Sequence, residues 1–283
     1  MSEAPAPLGA GAPASPSLDR ARRIEEASLR AWPALTESDF DGWRLRFANG
    51  YTRRSNSVTP LGPSRLHLDD KIAACERIYA ERGLPTIFRL TPFAPGELDL
   101  RLASRGYVRT EQVEVRARPL DPAGSPLYRA PRRPRARTWR VAALGLDRWL
   151  DVFTTLSGAA ESTRAAHRQV LAAVTGTRRL LALMADVDPA HGPRPREKPP
   201  AAVSCGMSVL QEGLLGLFDL VTDRAHRGRG FGGELLRRAL AWGMRSGGEE
   251  AYLQVVDTNW NAARLYERAG FELVYRYHYR ERR

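Results

Sequence analysis

Hydrophobic and polar positions follow two periods along this chain. Apolar residues recur at helical spacing from Ile24 to Trp32 and again in RLHLDDKIAACERIYAERG, where Gly83 is placed to end the helix. The segments GWRLRFANG, RRSNSVTPL and PTIFRL predict strands, and ELDLRLASRGYVRTEQVEVRARPL predicts a helix, a glycine stop and a strand. Helices and strands therefore mix from the start, which indicates an α/β (α+β) fold.

The second half continues in the same manner. The predicted elements are, in order, a strand at TWRVAAL, helices at 146–156 and 162–174, strands at RRLLALMADV, AAVSCGMSVL and GLLGLFDLV, a helix at 229–245, a strand at AYLQVV, a helix at 259–269 and a strand at FELVYRYHYRER. A turn around Gly213 joins two of the strands.

Three stretches rich in proline and polar residues interrupt these patterns. Residues 1–18 consist mainly of Ala, Pro, Gly and Ser and predict a disordered tail. Residues 121–137 are rich in Pro and Arg and predict a linker, and residues 186–200 predict a solvated insertion. We therefore expect one domain at 19–120 and a second at 138–283.

A faint repeat relates these two domains. The stretch RLASRGYVRTEQVEVRAR resembles LYERAGFELVYRYHYRER, since each has a helix end, a Gly-aromatic pair and an alternating strand. Aligned on Gly106 and Gly270, Leu102 falls where Tyr266 stands. The first half also lacks a glycine-rich loop, so we expect a similar pair of domains of which the second alone keeps its chemistry.

Composition narrows the class of protein. With 43% hydrophobic and 27% charged residues, the chain is typical of globular proteins, and its apolar runs are too short to span a membrane. Cys75 and Cys205 lie far apart, which argues against a disulfide framework and for the cytoplasm. The five histidines show no metal-ligand spacing, so no metal is expected.

The net charge of +12 has two interpretations. Only Lys71 and Lys198 among the 44 basic residues are lysines, and such an arginine bias is more typical of a GC-rich genome than of a nucleic-acid surface. A basic chain also attracts anionic ligands by electrostatic steering. Binding of DNA or RNA through the basic stretch at 130–140 is the less favoured alternative.

The stretch HRGRGFGGELL carries the clearest chemistry. Gly228, Gly230 and Gly233 spell the dinucleotide pattern G-x-G-x-x-G, but the apolar strand ends earlier, at Val221, and 50 residues after Gly233 are too few for the rest of a doubly wound sheet. A P-loop is excluded because no Gly-Lys-Ser/Thr follows. What remains is a glycine-rich helix start that can bind a pyrophosphate through backbone N–H groups and the helix dipole.

Two motifs at this end of the chain resemble one family. RGRGFG is similar to the R/Q-x-x-G-x-G/A loop of the GNAT acyltransferase superfamily, with Arg227, Gly230 and Gly232 at the motif positions. NWNAARLYERAGF is similar to its N-x-x-A-x-x-L-Y-x-x-x-G-F segment. The matching positions are Asn259, Ala262, Leu265, Tyr266, Gly270 and Phe271. The resemblance covers residues 138–283, and the first half resembles a degenerate copy, as in the tandem members.

The resemblance implies a GNAT fold, a mixed and mostly antiparallel sheet flanked by helices, present twice. It also implies acetyl-CoA as co-substrate and direct transfer of its acetyl group to a primary amine. The residues implied in binding acetyl-CoA are Leu220, Val221, Thr222, Arg227, Gly228, Arg229, Gly230, Phe231, Gly232 and Asn259. The first three of these would include the backbone N–H that stabilises the oxyanion. Asn259 would also cap its helix.

Two side chains are candidates for proton transfer. Tyr266 stands at the position of the family's tyrosine, which would protonate the leaving thiolate, although a core aromatic is the alternative. Asp219 is a carboxylate inside an apolar strand, so it must be paired or act as the general base. Glu212 and Asp223, in predicted turns, are weaker candidates. Tyr275, Tyr277 and Tyr279 share one strand face, either as core or as a substrate pocket.

The expected function is thus an acetyl-CoA-dependent N-acetyltransferase. A non-catalytic sensor that binds acyl-CoA is the alternative. The acceptor stays open among small amines, amino acids, antibiotics and protein N-termini, as does the oligomeric state. The first domain and the insertion at 186–200 are expected to shape the acceptor side.

Overall fold

A computed structural model describes residues 16–120, 139–185 and 201–282. The predicted linker at 121–137 and the predicted insertion at 186–200 lie outside the described residues, as do residues 1–15 of the predicted tail. The tail prediction is wrong for residues 16–18, because the first helix already begins at Pro16. Asp19, in the first turn, complements the positive end of that helix.

In the first half, residues 16–120 contain three helices and five strands. They are α1 (Pro16–Ala31), β1 (Thr36–Phe40), β2 (Trp43–Phe47), a 3-10 turn (Arg53–Ser55), β3 (Val58–Pro60), α2 (Leu68–Ala80), β4 (Ile87–Leu90), α3 (Leu98–Ser104) and β5 (Val108–Pro119). Strand β1, with the sequence TESDF, was not predicted, because it has no apolar alternation and is exposed at the edge of the sheet.

The predicted strand at RRSNSVTPL is mostly wrong. Only its last residues form β3, and Arg53–Ser55 form the 3-10 turn. The side chain of Asn56 explains the difference. Its Oδ1 accepts hydrogen bonds from the amides of Ala48 and Gly50 at 2.7 and 3.0 Å, and its Nδ2 donates to the carbonyl of Thr52 at 2.8 Å. These local bonds stabilise a turn in place of a strand ladder.

In the second half, residues 139–185 and 201–282 contain four helices and six strands. They are β6 (Trp139–Ala143), α4 (Leu146–Ser157), a 3-10 turn (Glu161–Thr163), α5 (Arg164–Ala172), β7 (Thr177–Ala185), β8 (Ala201–Gln211), β9 (Leu214–Thr222), a 3-10 turn (Arg224–His226), α6 (Phe231–Arg245), β10 (Glu250–Val256), α7 (Trp260–Arg268) and β11 (Glu272–Glu281). Their order is the one predicted from the sequence.

All eleven strands form one sheet in the order β1-β2-β3-β4-β11-β5-β10-β9-β8-β7-β6. The pairs β3–β4 and β9–β10 are parallel and the others are antiparallel. A mixed, mostly antiparallel sheet flanked by helices was predicted, and this prediction is confirmed. The two predicted domains share this sheet, so they are not separate bodies joined by a linker.

The last strand of each half pairs inside the other half. β5, which ends the first half, lies beside β10, with Ala117 opposite Tyr252. β11, which ends the second half, lies beside β4, with Glu281 opposite Ile87. β5 and β11 also pair with each other at the centre of the sheet. We call this arrangement the strand exchange.

The internal repeat has the same backbone at both of its copies. α3 and α7 are each followed by a glycine in the left-handed region, Gly106 with a φ of 83° and Gly270 with a φ of 81°. The next residue, Tyr107 or Phe271, donates its amide to a carbonyl of the preceding helix at 3.0 Å in both copies. This is the usual glycine stop of a helix, and it supports a common origin for the two halves.

The parallel strands β9 and β10 separate partway along their length. Their register runs from Leu214 opposite Glu250 to Leu217 opposite Leu253 and goes no further within these strands. Beyond that point β9 bulges at Asp219, whose φ is 52°, and its register with β8 shifts there. A bulge bends a strand and redirects a side chain. The separation opens the sheet between β9 and β10.

Helix α1 is joined to the centre of the sheet by a buried ion pair. Glu25 on α1 is fully buried and accepts hydrogen bonds from the guanidinium of Arg89 on β4 and from the Tyr275 hydroxyl on β11. Burial alone would raise the pKa of Glu25, but the charge and hydrogen bonds of Arg89 lower it below the usual value. The pair therefore connects both halves of the chain.

Replacing Glu25 by Gln is expected to lower the free energy of unfolding by about 1.5–3 kcal/mol, because Arg89 loses its charged partner. The folded-state pKa of Glu25 is lowered, so its contribution is present above the unfolded pKa of about 4.3 and is lost as the pH falls below it. Denaturant unfolding at pH 7 and pH 4 measures both effects. Glu26→Gln on the exposed face of α1 is the control. Equal unfolding midpoints for the two variants would contradict the expectation.

Candidate active site

A groove of about 690 Å³ lies between the end of β9, the start of α6 and the helix α7. Nine of the ten residues predicted to bind acetyl-CoA line it: Leu220, Val221, Thr222, Arg227, Gly228, Gly230, Phe231, Gly232 and Asn259. The tenth, Arg229, does not line the groove. The structure thus brings two motifs together that are separated by some thirty residues in sequence.

The start of α6 is open to the groove. Gly230 occupies the position before the helix with a φ of 89°, and no described side chain caps the amides of the first turn. These amides lack partners within the helix and point out of its positive end. A Cβ added at Gly232 would lie 3.2 Å from the hydroxyl of Thr222, so a side chain there would crowd the wall of the groove. This geometry suits an anion that approaches the backbone closely.

Arginine side chains supply positive charge at the same place. Arg227 is exposed on the groove and donates from Nε to the carbonyl of Thr222 at 3.2 Å, which leaves its other guanidinium donors for a ligand. Arg268 on α7 lines the same groove. The acidic residue nearest the helix start, Glu234, is buried and hydrogen-bonded by Arg237 and Arg238. The negative charge of Glu234 is therefore balanced by these two arginines of α6.

The edge of β9 that faces β10 offers backbone groups to the groove. Within the described strands, residues 218–222 have no pairing partner in β10. The other edge is held by β8, where the Ser204 hydroxyl donates to the carbonyl of Val221 at 2.8 Å. The predicted oxyanion donors Leu220, Val221 and Thr222 lie on this open segment, where such a donor can be held rigidly.

Tyr266 lies where the groove meets a second cavity. It lines both of them, although only 8% of its surface is exposed. Burial raises its pKa to about 12, so the hydroxyl keeps its proton at neutral pH. No hydrogen bond joins this hydroxyl to a residue that the structure describes. Tyr266 is therefore at once a packed aromatic and a neutral proton donor facing the cavities.

The second cavity, of about 390 Å³, lies on the other side of the separation between β9 and β10. We call it the acceptor cavity, after the acceptor side that the first domain is expected from the sequence to shape. It shares Leu220, Asn259, Ala262 and Tyr266 with the groove. Its other lining residues include Trp32, Arg53, Arg54, Glu111 and Val113 from the first half and Phe218, Asp219, Gln254, Tyr277 and Tyr279 from the second. Both halves thus build the acceptor cavity.

Asp219 points from the bulge of β9 into the acceptor cavity. It is paired, because His167 Nε2 lies 3.0 Å from its Oδ2, and it also lines the cavity, so both alternatives for this carboxylate hold structurally. His167, on α5, was not predicted to take part. The spacing of the histidines indicates only that no metal site is expected. The one sequence signal for His167 is its place on the apolar face of a helix.

Aromatic rings enclose His167. The rings of Tyr51 and Phe153 lie 5.2 and 4.9 Å from its imidazole, and those of Trp32 and Trp149 lie 5.6 and 6.1 Å away. The imidazole is 2% exposed and its ring orientation is fixed by these contacts. His167 therefore holds the carboxylate of Asp219 in one position.

The remaining candidates fall in different places. Glu212 forms an ion pair with Arg30 at the opposite end of β9, and Asp223 pairs with His226. Neither residue lines the groove or the acceptor cavity. Asn259 accepts from the amide of Ala262 at 3.3 Å as a helix cap and also lines both cavities. Of the three strand tyrosines, Tyr275 lies in the core with Glu25, and Tyr277 and Tyr279 line the acceptor cavity.

The corresponding loop of the first half, between β3 and α2, already holds an anion. The carboxylate of Asp41 accepts hydrogen bonds from the amides of Arg65 and Leu66 at 3.0 Å and from the Ser64 hydroxyl at 2.7 Å, and Lys71 Nζ lies 3.3 Å away. These bonds, the amide of Leu66 foremost, hold the pKa of Asp41 well below its usual range. A side chain of the protein thus occupies, in the first half, the place that corresponds to the open start of α6 in the second half.

Two features are absent from the described residues, a cluster of metal ligands and a membrane-spanning helix. In residues 16–120, 139–185 and 201–282, no group of three or more His, Cys, Asp or Glu side chains is arranged to hold a metal ion. No helix in this part of the chain is long and apolar enough to cross a membrane.

Two models of known protein families match this chain. Residues 19–180 match the family model described as "Probable histone acetyltransferase Rv0428c C-terminal", and residues 196–271 match the model "Acetyltransferase (GNAT) family". Because the first model spans more than half of the chain and the second contains the groove, the chain belongs to the GNAT acetyltransferases. The family uses acetyl-CoA.

Individual relatives agree with this assignment. The chain is 26% identical over 274 residues to a Bacillus subtilis (strain 168) protein described as "Uncharacterized N-acetyltransferase YobR", covering 94% of this chain and all of that one. A "GCN5-related N-acetyltransferase from Kribbella flavida" has the same fold, with a TM-score of 0.67 at 14% identity over 93% of this chain and 95% of that one. A "Tandem GNAT protein from the clavulanic acid biosynthesis pathway" aligns with a TM-score of 0.60 at 15% identity, covering 84% and 77% of the two chains.

Proposed function

We propose that the chain is an acetyl-CoA-dependent N-acetyltransferase that acts on a primary amine in the acceptor cavity. The observation that carries this proposal is the position of Tyr266 in the wall common to two cavities, one suited to a pyrophosphate and the other containing a paired carboxylate. A thioester bound in the groove and an amine bound in the acceptor cavity would meet at this wall. We place the protein in the cytoplasm, because both thiols, Cys75 and Cys205, are free and buried.

The residues of the groove fit acetyl-CoA, which supplies the acetyl thioester. The amides at the start of α6 and the guanidinium of Arg227 would hold the pyrophosphate, and Asn259 would lie beside the pantetheine arm. The groove, at about 690 Å³, has the size of a cofactor site. The glycines let the backbone approach the phosphate oxygens without a Cβ in between.

Three groups would divide the proton and charge transfers. Asp219, held by His167, would take the proton that the amine must lose, since a free alkylamine is mostly protonated at neutral pH. An amide on the open edge of β9 would stabilise the oxyanion. The hydroxyl of Tyr266 keeps its own proton at neutral pH. Tyr266 would donate this hydroxyl proton to the departing thiolate as the new carbon–nitrogen bond replaces the carbon–sulfur bond.

We further propose that residues 138–283 form the active domain and residues 19–120 a degenerate copy. The occupation of the first loop by Asp41 supports this, because the carboxylate uses the amides that a phosphate would need. Leu102 in place of a tyrosine supports it as well, since the first copy then lacks the hydroxyl.

Replacing Arg227 by Glu is expected to weaken acetyl-CoA binding by about 10- to 100-fold, because one charge-assisted hydrogen bond is lost and a like charge is added. Calorimetry with acetyl-CoA measures this. Arg245→Glu makes the same change in charge at the exposed far end of α6, about 20 Å away, and is the control.

Thiol release from acetyl-CoA over a panel of amines tests the proposed activity. Wild-type protein that binds acetyl-CoA and releases thiol with at least one amine supports it. Protein that binds acetyl-CoA and releases none would be an acyl-CoA sensor, and protein that binds none would contradict the proposed groove.

A further inference from the structure

We infer that the amine acceptor also carries a carboxylate, and that Arg54 binds it. The inference rests on the proposed function, since it names the class of substrate for the acceptor cavity. It is argued from the charged side chains that line this cavity and from Arg54, which has no ion-pair partner among the described residues.

Most charged groups of the acceptor cavity are already paired. Arg53 forms ion pairs with Glu111 at 2.9 Å and with Glu281 at 3.0 Å. Asp219 is hydrogen-bonded by His167. Arg54 is different, because no carboxylate of a described residue lies within 4 Å of its guanidinium. Among the described residues that line the cavity, Arg54 is therefore the cation available to a bound anion.

The backbone of Arg54 is held rigidly. It lies in the 3-10 turn fixed by Asn56, and its carbonyl accepts a hydrogen bond from the buried Arg46 at 2.7 Å. Its guanidinium lies 5.7 Å from the ring of Trp32 and 5.8 Å from that of Phe218, and these two rings stack on each other. The side chain is thus positioned by an aromatic floor instead of by a carboxylate.

The donors of Arg54 are incompletely satisfied. Its Nε is buried and has no hydrogen-bond partner among the described residues. Arg54 as a whole is half-buried, and the buried part of a cation with an unused donor costs free energy that a bound anion offsets. Its planar fork matches a carboxylate, which can accept two parallel hydrogen bonds. The presence of Glu111 and Asp219 in the same cavity favours a carboxylate, with one negative charge, over a doubly charged phosphate.

The positions of base and cation fit a small bifunctional substrate. Phe218 and Asp219 are consecutive in β9, so the ring beneath Arg54 adjoins the proposed base. A carboxylate bound to Arg54 would place an amine of the same small molecule over Phe218 and near Asp219. The cavity volume of about 390 Å³ suits a molecule of amino-acid size.

The same charges disfavour a lysine-rich acceptor, although one matching family model is described as a histone acetyltransferase. Arg54 lines the cavity without a carboxylate partner among the described residues, and the chain has a net charge of +12. A basic peptide would meet like charge on approach and inside the cavity.

The test compares matched acceptors. Wild-type protein saturated with acetyl-CoA is given α-, β- and ω-amino acids, each beside the amine that lacks its carboxylate, together with a lysine-rich histone-tail peptide. We expect kcat/KM for at least one amino acid to exceed that of its partner by about 10- to 100-fold, the worth of a charge-assisted hydrogen bond. Arg54→Gln should remove this preference, because it lowers kcat/KM for the amino acid by about 10- to 100-fold more than kcat/KM for the carboxylate-free amine.

Arg82→Gln is the matched control, because the Arg82 guanidinium also lies over an aromatic ring, that of Phe47, but outside both cavities. Acetyl-CoA affinity, measured by calorimetry, should be equal in all three proteins. Preference for the carboxylate-free amines or for the histone-tail peptide would overturn the inference. An amino-acid preference that survives in Arg54→Gln would overturn it as well.

Failure of the proposed function has a separate signature. If no acceptor releases thiol, binding of the same pairs to the CoA-loaded protein, measured by calorimetry, still decides the role of Arg54. Tighter binding of amino acids that is lost in Arg54→Gln would support the carboxylate site, and equal binding of both members of each pair would reject it.

Discussion

Replacing Asp219 by Asn is expected to lower kcat/KM by about 10²- to 10⁴-fold, the usual contribution of a general base, and to leave acetyl-CoA affinity unchanged. The amide keeps the size of the side chain and can still bond His167, but it cannot take a proton from the amine. Steady-state thiol release at saturating acetyl-CoA, with calorimetry in parallel, measures both quantities.

Asp99→Asn is the matched control for this variant. Asp99 also pairs with a histidine, since His278 Nε2 lies 2.8 Å from its Oδ1, but it lines neither cavity. We expect it to retain wild-type kcat/KM. If Asp219→Asn kept full activity, the carboxylate would be a structural partner of His167 and the base would be another group.

Replacing Tyr266 by Phe is expected to lower kcat by about 10²- to 10³-fold with little change in acetyl-CoA affinity. The ring keeps its packing, including the edge contact with Phe271 at 6.0 Å between ring centroids, and only the hydroxyl is lost. The pKa of Tyr266 is about 12, so wild-type kcat should show no decline from tyrosine ionisation up to about pH 10.

Tyr107→Phe provides the comparison, because it removes a hydroxyl that bonds Glu76 outside both cavities. Its kcat should match the wild type. A Tyr266→Phe protein with unchanged kcat would assign the leaving-group proton to solvent or to another donor, and would leave Tyr266 as a core aromatic.

The residues of the groove can be predicted from the sequence better than those of the acceptor cavity. A glycine-rich helix start is a local feature, and its amides are placed by the residues that spell it, so Gly230 and Gly232 could be located from the motif alone. Asp219 could be singled out because a charge inside an apolar strand needs a partner. Its partner could not be named, since His167 lies 52 residues earlier and meets Asp219 only through packing of α5 on the sheet.

Arg54 shows a different limit. The sequence pattern around Arg54 predicts a strand. The turn that positions its guanidinium depends instead on side-chain hydrogen bonds of Asn56, which hydrophobic periodicity does not predict. The strand exchange could not be predicted either. The alternation in β5 and β11 marks both as strands, but it says nothing about which neighbour each will pair with.

The strand exchange makes the two halves of the chain dependent on each other for folding. Without β5 the edge of β10 would be unpaired beside the open cleft, and without β11 the edge of β4 would be bare. Deletion of the first half would also remove Trp32, Arg53 and Arg54 from the wall of the acceptor cavity. A chain severed between β5 and β6 should for the same reason remain one particle, with its two fragments interlocked through β5 and β11.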